Sequence, residues 1–343
     1  MKIAIVILNY NGTNVVGDCL ASVGKLKTTG FELITYVVDN ASTDESVKLI
    51  LERFPKVTLI KNEKNLGFSE GNNVGIRQAL KNGADFVLLL NNDTVVDTNC
   101  VTALLEEAQK RPKGGIFGPK IYFAKGYEFH NDRYKESELG KVIWYAGGKI
   151  DWNTVLASHR GVDEVDRGQY DVAVKTSFVS GCASFIRKEV FEKVGFLDPK
   201  LFLYYEDLDF CKKAQAQGFE LYYVPKAVLW HKNAHSSGGS GSDLQSYYIT
   251  RNRLLLGMRY APWKTKMALF QEASGYLIWG TLTQKQAVGD FLRKKFGRRD
   301  WTPRVINLLR GVSRDIGKTK LPPLPQLPVL YRSKKKSPDK KLK

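Results

Sequence analysis

The sequence predicts an α/β fold: a mostly parallel central sheet with helices on both faces. Three observations predict it. Apolar runs of strand length alternate with helical patterns over the first 110 residues, the runs are continuously apolar as buried parallel strands are, and each run stops on polar residues suited to a sheet rim. In order, Ile3–Leu8 reads as a strand, Val15–Leu26 as a helix, Leu33–Val38 as a strand and Glu45–Phe54 as a helix. Val57–Ile60 follows as a short strand, Gly71–Lys81 as a helix, Phe86–Leu90 as a strand and Thr98–Lys110 as a helix. Such βαβα order makes crossover units whose ligands lie beyond the carboxyl ends of the strands.

Size and composition bound the rest. With 343 residues, 43% of them hydrophobic, the chain can bury one large core and a smaller second one. The first apolar run, Ile3–Leu8, is too short for a signal peptide. Gln271-Glu272 interrupts the run from Met267 to Leu282, so no stretch approaches the roughly 18 apolar residues of a membrane span. Cys19, Cys100, Cys182 and Cys211 are far apart with no CxxC spacing, which predicts reduced, buried thiols and a cytoplasmic location.

Charge is distributed unevenly. From Arg251 onward there are 23 Lys or Arg against 5 Asp or Glu, a net +18 that accounts for the whole excess of the chain. An anionic partner is expected for that part alone. The sequence divides into residues 1–240, a basic helical region 241–320, and a Pro-rich, basic tail 321–343 expected to be extended or disordered.

The strand ends carry the candidate chemistry. Asn9-Tyr10-Asn11-Gly12 follows the first strand, Asp39-Asn40-Ala41-Ser42-Thr43-Asp44 the second, and Asn91-Asn92-Asp93 the fourth. Either of the latter two alone could be an ordinary turn or helix cap. Neither GxxxxGK[ST] nor GxGxxG follows a strand, which disfavours P-loop and dinucleotide readings. The Asp93 carboxylate could instead hold Mg²⁺ or Mn²⁺, hard cations that share carboxylate and phosphate oxygens.

Six motifs in order, VILNYNG, VVDNASTD, NLGFSEGNNVGI, LLLNNDTVV, SGCASFIRKEVF and FLYYEDLDFC, resemble those of glycosyltransferase family 2, in its rhamnosyltransferase-like branch. The resemblance covers residues 3 to about 260. It implies a GT-A fold, a divalent metal, and inverting transfer of a sugar from a nucleotide diphosphate to a hydroxyl in cell-surface polysaccharide synthesis. The family's acidic DxD motif is Asn91-Asn92-Asp93 here, leaving Asp93 as metal ligand and the role of Asn91 open.

The resemblance distributes further roles. Tyr10 would pack on the donor's base, and Asp39 would accept from a pyrimidine ring N–H, which uridine and thymidine share, so a UDP- or dTDP-sugar fits equally. Asn9, Asn11, Asn40, Asn73, Asn91 and Asn92 complete the implied donor set. Asp207 would be the general base, with Glu206 and Asp209 positioning acceptor or helix; acids in a first helical turn also suit the helix dipole without any chemistry. His231 would complete the metal site, with His235 as the fallback. Sugar and acceptor are set within Ile121–Val179, which carries no interpretable motif; rhamnose and a glycan or lipid-linked acceptor are family-level expectations.

Other classes are disfavoured. A nucleotidyltransferase would open with a glycine-rich loop after its first strand. A nucleic-acid or other polyanion binder would explain the basic tail, but the rim carboxylates repel phosphate unless a metal intervenes, so no nucleic-acid partner is expected. A catalytically degenerate homologue would bind nucleotide-sugar without turnover. Interleaved basic and apolar residues over Tyr247–Leu256 and Phe291–Arg299 predict peripheral binding to an anionic, cytoplasmic membrane face, beside the acceptor entrance and opposite the nucleotide rim.

Overall fold

In the computed structural model, residues 1–233 and 242–299 are described. Chain order is β1 (Lys2–Asn9), α1 (Val16–Val23), β2 (Glu32–Asp39), α2 (Ser46–Arg53), β3 (Thr58–Lys61), α3 (Gly67–Lys81), β4 (Phe86–Asn91), β5 (Thr94–Val96), α4 (Cys100–Lys110) and β6 (Gly114–Phe123). There follow β7 (Ile143–Tyr145), β8 (Gly148–Asp151), β9 (Leu156–His159), β10 (Val174–Lys175), β11 (Ala183–Arg187), α5 (Lys188–Val194), α6 (Glu206–Ala216) and β12 (Glu220–His231). Three helices close the described part, α7 (Asp243–Tyr260), α8 (Trp263–Trp279) and α9 (Leu282–Leu292).

The main sheet runs β10-β12-β6-β11-β4-β1-β2-β3. Strands β3, β2, β1 and β4 are mutually parallel, as the apolar runs require, and β6 and β12 are parallel to each other. Between these blocks lies β11, antiparallel to both neighbours and formed by the motif residues ASFIR. Ile3, Ile5, Ile7, Val37 and Leu88 are essentially solvent-free, so this parallel block is covered on both faces.

The GNNVG segment has a packing explanation. Gly71 and Gly75 lie one turn apart on α3, and a Cβ there would stand 2.6 Å from a Leu8 methyl and 2.4 Å from a Val6 methyl. The bare face lets α3 sit directly on β1. The helix also begins at Gly67, a turn before the predicted Gly71. Gly67 takes φ +77, and its lack of a side chain leaves room for the Phe202 ring.

Register positions the site. Asn9 pairs with Asp39 and Leu8 with Asn91, so three strand ends finish level. Strand β12 shifts register between Val224 and Val228, around Pro225, and then runs antiparallel to β5 with His231 opposite Thr94. The residue before Thr94 is Asp93, so strand pairing alone brings Asp93 and His231 together.

Helix α7 starts beyond the expected division at residue 240 yet is built into the first part of the chain. Tyr247, Tyr248, Arg251, Asn252, Leu254 and Leu256 are buried. That corrects the reading of Tyr247–Leu256 as a membrane-facing surface: of its two basic residues Arg251 is enclosed by protein and Arg253 is half-buried and paired with Glu272. Residue His235 and the tail 321–343 lie outside the described residues.

Candidate active site

A cleft of about 410 Å³ opens at the carboxyl ends of the parallel strands. Tyr10, Asn40, Asn91, Asn92, Asp93, Glu206, Asp207 and His231 all line it. Eight side chains named from sequence therefore share one cavity.

On one side lies the rim. Tyr10 is 38% exposed, an aromatic face open to a ligand rather than a core residue. Asn9 is buried and organises the rim from beneath: its amide donates to Asp39 Oδ1 (3.2 Å) and Ser46 Oγ (2.9 Å) and accepts from Asn92 (3.0 Å). Asp39 is buried at the end of β2, taking bonds from Asn9 and from the Ser42 N–H (3.1 Å). Asn11, at φ +50, accepts from the Thr43 N–H (2.8 Å) and receives no cleft position.

Two of the implied donor ligands are corrected. Asn40 lines the cleft, but its side chain accepts from Asn62 (3.1 Å) and the Leu66 N–H (3.0 Å) and donates to Asn65 (3.0 Å) and the Gly67 carbonyl (3.1 Å). Two donors and two lone pairs are used, so Asn40 shapes the rim and has no bond left for a ligand. Asn73 is buried on α3 away from the cleft. It donates to the Leu197 carbonyl (2.9 Å) and accepts from the Leu197 N–H (3.1 Å), tying α3 to the segment before α6.

At the floor, His231 Nε2 stands 3.1 Å from Asp93 Oδ1, both groups buried. The carboxylate oxygen and imidazole nitrogen fit a hard to borderline divalent cation. Among the described residues the buried His231 Nδ1 has no hydrogen-bond partner. Among the described residues no group of three or more His, Cys, Asp or Glu is placed to enclose a metal, so a cation here would take most of its ligands from phosphate and water.

The opposite wall is the first turn of α6. Asp207 Oδ2 accepts from the Gly181 N–H (3.0 Å) and Oδ1 from the Leu208 N–H (2.8 Å), fixing the carboxylate. Burial pushes its pKa above the ordinary carboxylate range despite those bonds. Burial, then the neighbouring Asp207 charge, push Glu206 up to about 8, and among the described residues its buried Oε2 has no partner. Burial thus favours the neutral form of both carboxyls, and of Glu206 the more strongly.

Asp209 is corrected from the catalytic group. It is fully buried, and its carboxylate is held by Lys213 (2.5 Å), Arg259 (2.9 Å) and Tyr260 (2.7 Å), fastening α6 to α7. It lies outside the cleft.

Sequence reasoning missed the clasp that holds this wall. Phe202, Tyr204 and Tyr205 all have positive φ, an arrangement costing of order 1–3 kcal/mol per residue that surrounding bonds must offset. Those bonds come from α7. Asn252 donates to the Leu201 (2.8 Å), Leu203 (2.9 Å) and Tyr204 (2.9 Å) carbonyls, while Arg251 donates to those of Lys200 (3.0 Å) and Leu201 (3.1 Å). The adjacent RN pair following paired tyrosines was the available signal. The aromatic wall of Trp144, His159 and Phe178 was also unread. Burial holds the His159 imidazole down to about 4, so it is neutral, and its Nδ1 lies 3.1 Å from the Trp144 carbonyl.

The basic segment after α9 is not opposite the nucleotide rim, as expected from sequence: Arg298 donates to the carbonyl of Asn65, whose side chain accepts from Asn40.

A cleft of this kind on a mixed sheet is that of a GT-A glycosyltransferase. The chain belongs to glycosyltransferase family 2: residues 1–257 match the family model described as "Glycosyltransferase like family 2". An N-acetylglucosaminyl-diphospho-decaprenol L-rhamnosyltransferase of Mycobacterium tuberculosis is 26% identical over 239 residues, covering 66% of this chain and 75% of the relative. A poly-beta-1,6-N-acetyl-D-glucosamine synthase of Staphylococcus epidermidis is 27% identical over 262 residues, 75% of this chain but 56% of that protein. The fold is shared with GalNAc-T7 bound to UDP, GalNAc and Mn²⁺ (TM-score 0.60, 18% identity, 92% of this chain and 57% of that one). It is shared also with S. aureus TarS 1–349 bound to UDP (TM-score 0.52, 16% identity, 90% and 83% covered). The protein is thus a glycosyltransferase acting with a nucleotide-sugar.

Proposed function

We propose that this enzyme is an inverting, metal-dependent transferase that moves a sugar from a UDP- or dTDP-linked donor to a hydroxyl of a lipid-linked saccharide or glycan. The single observation that supports this best is one cleft bearing the Asp93–His231 pair on its floor and the Asp207 carboxylate on its wall. Rhamnose is the sugar we favour, by likeness to the mycobacterial relative, whose name specifies a rhamnosyl transfer to a diphospho-decaprenol carrier.

In this reading Tyr10 covers the base, and Asp39, buried at the end of β2 and not itself lining the cleft, takes the ring N–H in the role the family resemblance implies. Asp93 and His231 would hold Mn²⁺ or Mg²⁺, which when bound offsets charge on the departing diphosphate. Asp207, fixed by two backbone N–H groups, takes the proton of the acceptor hydroxyl as that oxygen attacks the anomeric carbon, and the nucleotide diphosphate leaves from the opposite face. Glu206, holding its proton, can donate a hydrogen bond to the acceptor. The acceptor class places the work at a cytoplasmic membrane face.

A donor screen tests this. Labelled UDP- and dTDP-sugars are incubated with the enzyme and Mn²⁺, and slow hydrolysis is followed. Turnover of one donor, abolished by chelator and weakened by Asp93→Asn, is expected. No hydrolysis of any donor, with or without an acceptor, would leave a nucleotide-sugar-binding homologue instead.

A further inference from the structure

Helix α8 is apolar on two faces, and only one is covered. Leu269 and Ala273, with half-buried Tyr276, face inward, Leu269 lying on Gly257 of α7. The opposite side carries Trp263, Met267, Phe270, Leu277 and Ile278, all exposed, at the three- and four-residue spacing of one helical stripe. Its one polar member, Ser274, donates its hydroxyl to the Phe270 carbonyl (2.9 Å), which removes its demand for water. Trp263 and Trp279 at the two ends are 70% and 76% exposed, unusual for tryptophan. A stripe of this length on a soluble surface marks an interaction site.

We infer that this outer stripe of α8 is the surface that lies in an anionic bilayer, rather than the basic helices as such. Charge selects this occupant. At 100° per residue, Lys264 and Lys266 fall on either flank of the stripe, exposed and half-exposed, where they meet phosphate headgroups when the stripe is submerged. A second copy would bring the same lysines, and a molecule of net charge +18, against itself. The helix cannot cross the bilayer: no helix among the described residues is long and apolar enough. It lies in the interface, with Trp263 within the submerged stripe.

The position is functional. Helix α8 packs on α7 through Leu269 against Gly257, where a Cβ would stand 2.2 Å away, and through the Arg253–Glu272 pair (2.6 Å). The first turn of α7 in turn lines the cleft with Leu244 and Gln245. One helix thus separates the membrane surface from the site, within reach of an acceptor sugar on a lipid carrier. This inference rests on the lipid-linked reading of the acceptor and names its docking surface.

The test uses the full chain with Ser274→Cys carrying an environment-sensitive fluorophore. The four native thiols are buried, with burial pushing Cys19 and Cys100 up to about 12 and raising Cys182 and Cys211 as well, so labelling is confined to the new site. Expected is water-like emission in buffer and a blue shift on adding vesicles of equimolar phosphatidylglycerol and phosphatidylcholine. Phe270→Glu with Ile278→Glu should cut vesicle partitioning at least tenfold while leaving hydrolysis of the donor unchanged. A blue shift already in buffer means that the stripe is covered by residues 300–343 or by a second copy, and overturns the inference. So does water-like emission from vesicle-bound protein, in which case basic residues alone hold the membrane and the lipid-linked reading survives. Donor turnover without any vesicle binding overturns the docking surface and leaves the transferase standing.

Discussion

Glu206 and Asp207 open the same helix side by side, yet their surroundings differ. Asp207 receives two backbone N–H bonds that favour its charged form; Glu206 has an unpartnered, buried oxygen and keeps its proton. Replacing Asp207 by Asn should lower kcat about 10²–10⁴-fold, with donor dissociation constant little changed, measured by steady-state kinetics and donor titration. Loss of donor affinity with an intact kcat would refute the base. Glu206→Gln reports through pH. The folded-state pKa of Glu206 is raised from 4.5 to about 8, so its favourable contribution is complete below pH 4.5 and is lost as pH climbs through 8. The wild type should therefore match Glu206→Gln in Tm near pH 4 and fall below it by pH 8, the gap corresponding to a few kcal/mol at most. Parallel Tm profiles would show that Glu206 is not buried as a neutral acid.

At the scale of the element, the α7 clasp and the β5–β12 pairing build the site from sequence-distant pieces. Asn252→Leu removes an amide that serves three carbonyls of the strained loop, so stability should fall by about 1–3 kcal/mol. Its specific mark is a lowered kcat with nearly unchanged donor affinity, because the loop aims Asp207 and not the rim; equal loss in both would mean general unfolding. This element also explains what could be read beforehand. The parallel strands and the polar ends Asn9, Asp39 and Asp93 were legible because a buried strand has a continuous apolar run and a rim residue ends it. Asp209 and Asn73 were misjudged because an acid in a first turn and an amide beside glycines look alike whether they face a cleft or a neighbouring helix. Only Lys213, Arg259 and Leu197, distant or unremarkable in sequence, decide the matter. Arg251 was taken for a surface cation because charge was read without its carbonyl partners, which lie some 50 residues away.

For the whole molecule, the site is a seam. Asn9 and Asp39 come from one end of the sheet, Asp93 and His231 from the β5–β12 pairing, and Asp207 from a helix fixed by α7. Rim, floor and wall come from different elements, so donor and cation together would bridge all three. Ligands that bind only the folded state stabilise it by about 2.7 kcal/mol at a hundredfold excess over Kd, a rise in Tm on the order of 5 °C for a chain of this size. Linkage predicts a particular pattern: UDP or dTDP with Mn²⁺ should raise Tm by more than the separate effects of nucleotide and metal combined, because each completes the other's coordination. Asp93→Asn should abolish that surplus while leaving the nucleotide-only shift, which depends on Tyr10 and Asp39. The measurement is thermal unfolding of both proteins with each ligand alone and together. Additive shifts in the wild type would mean that nucleotide and cation bind apart, and that Asp93 and His231 are a structural hydrogen-bonded pair.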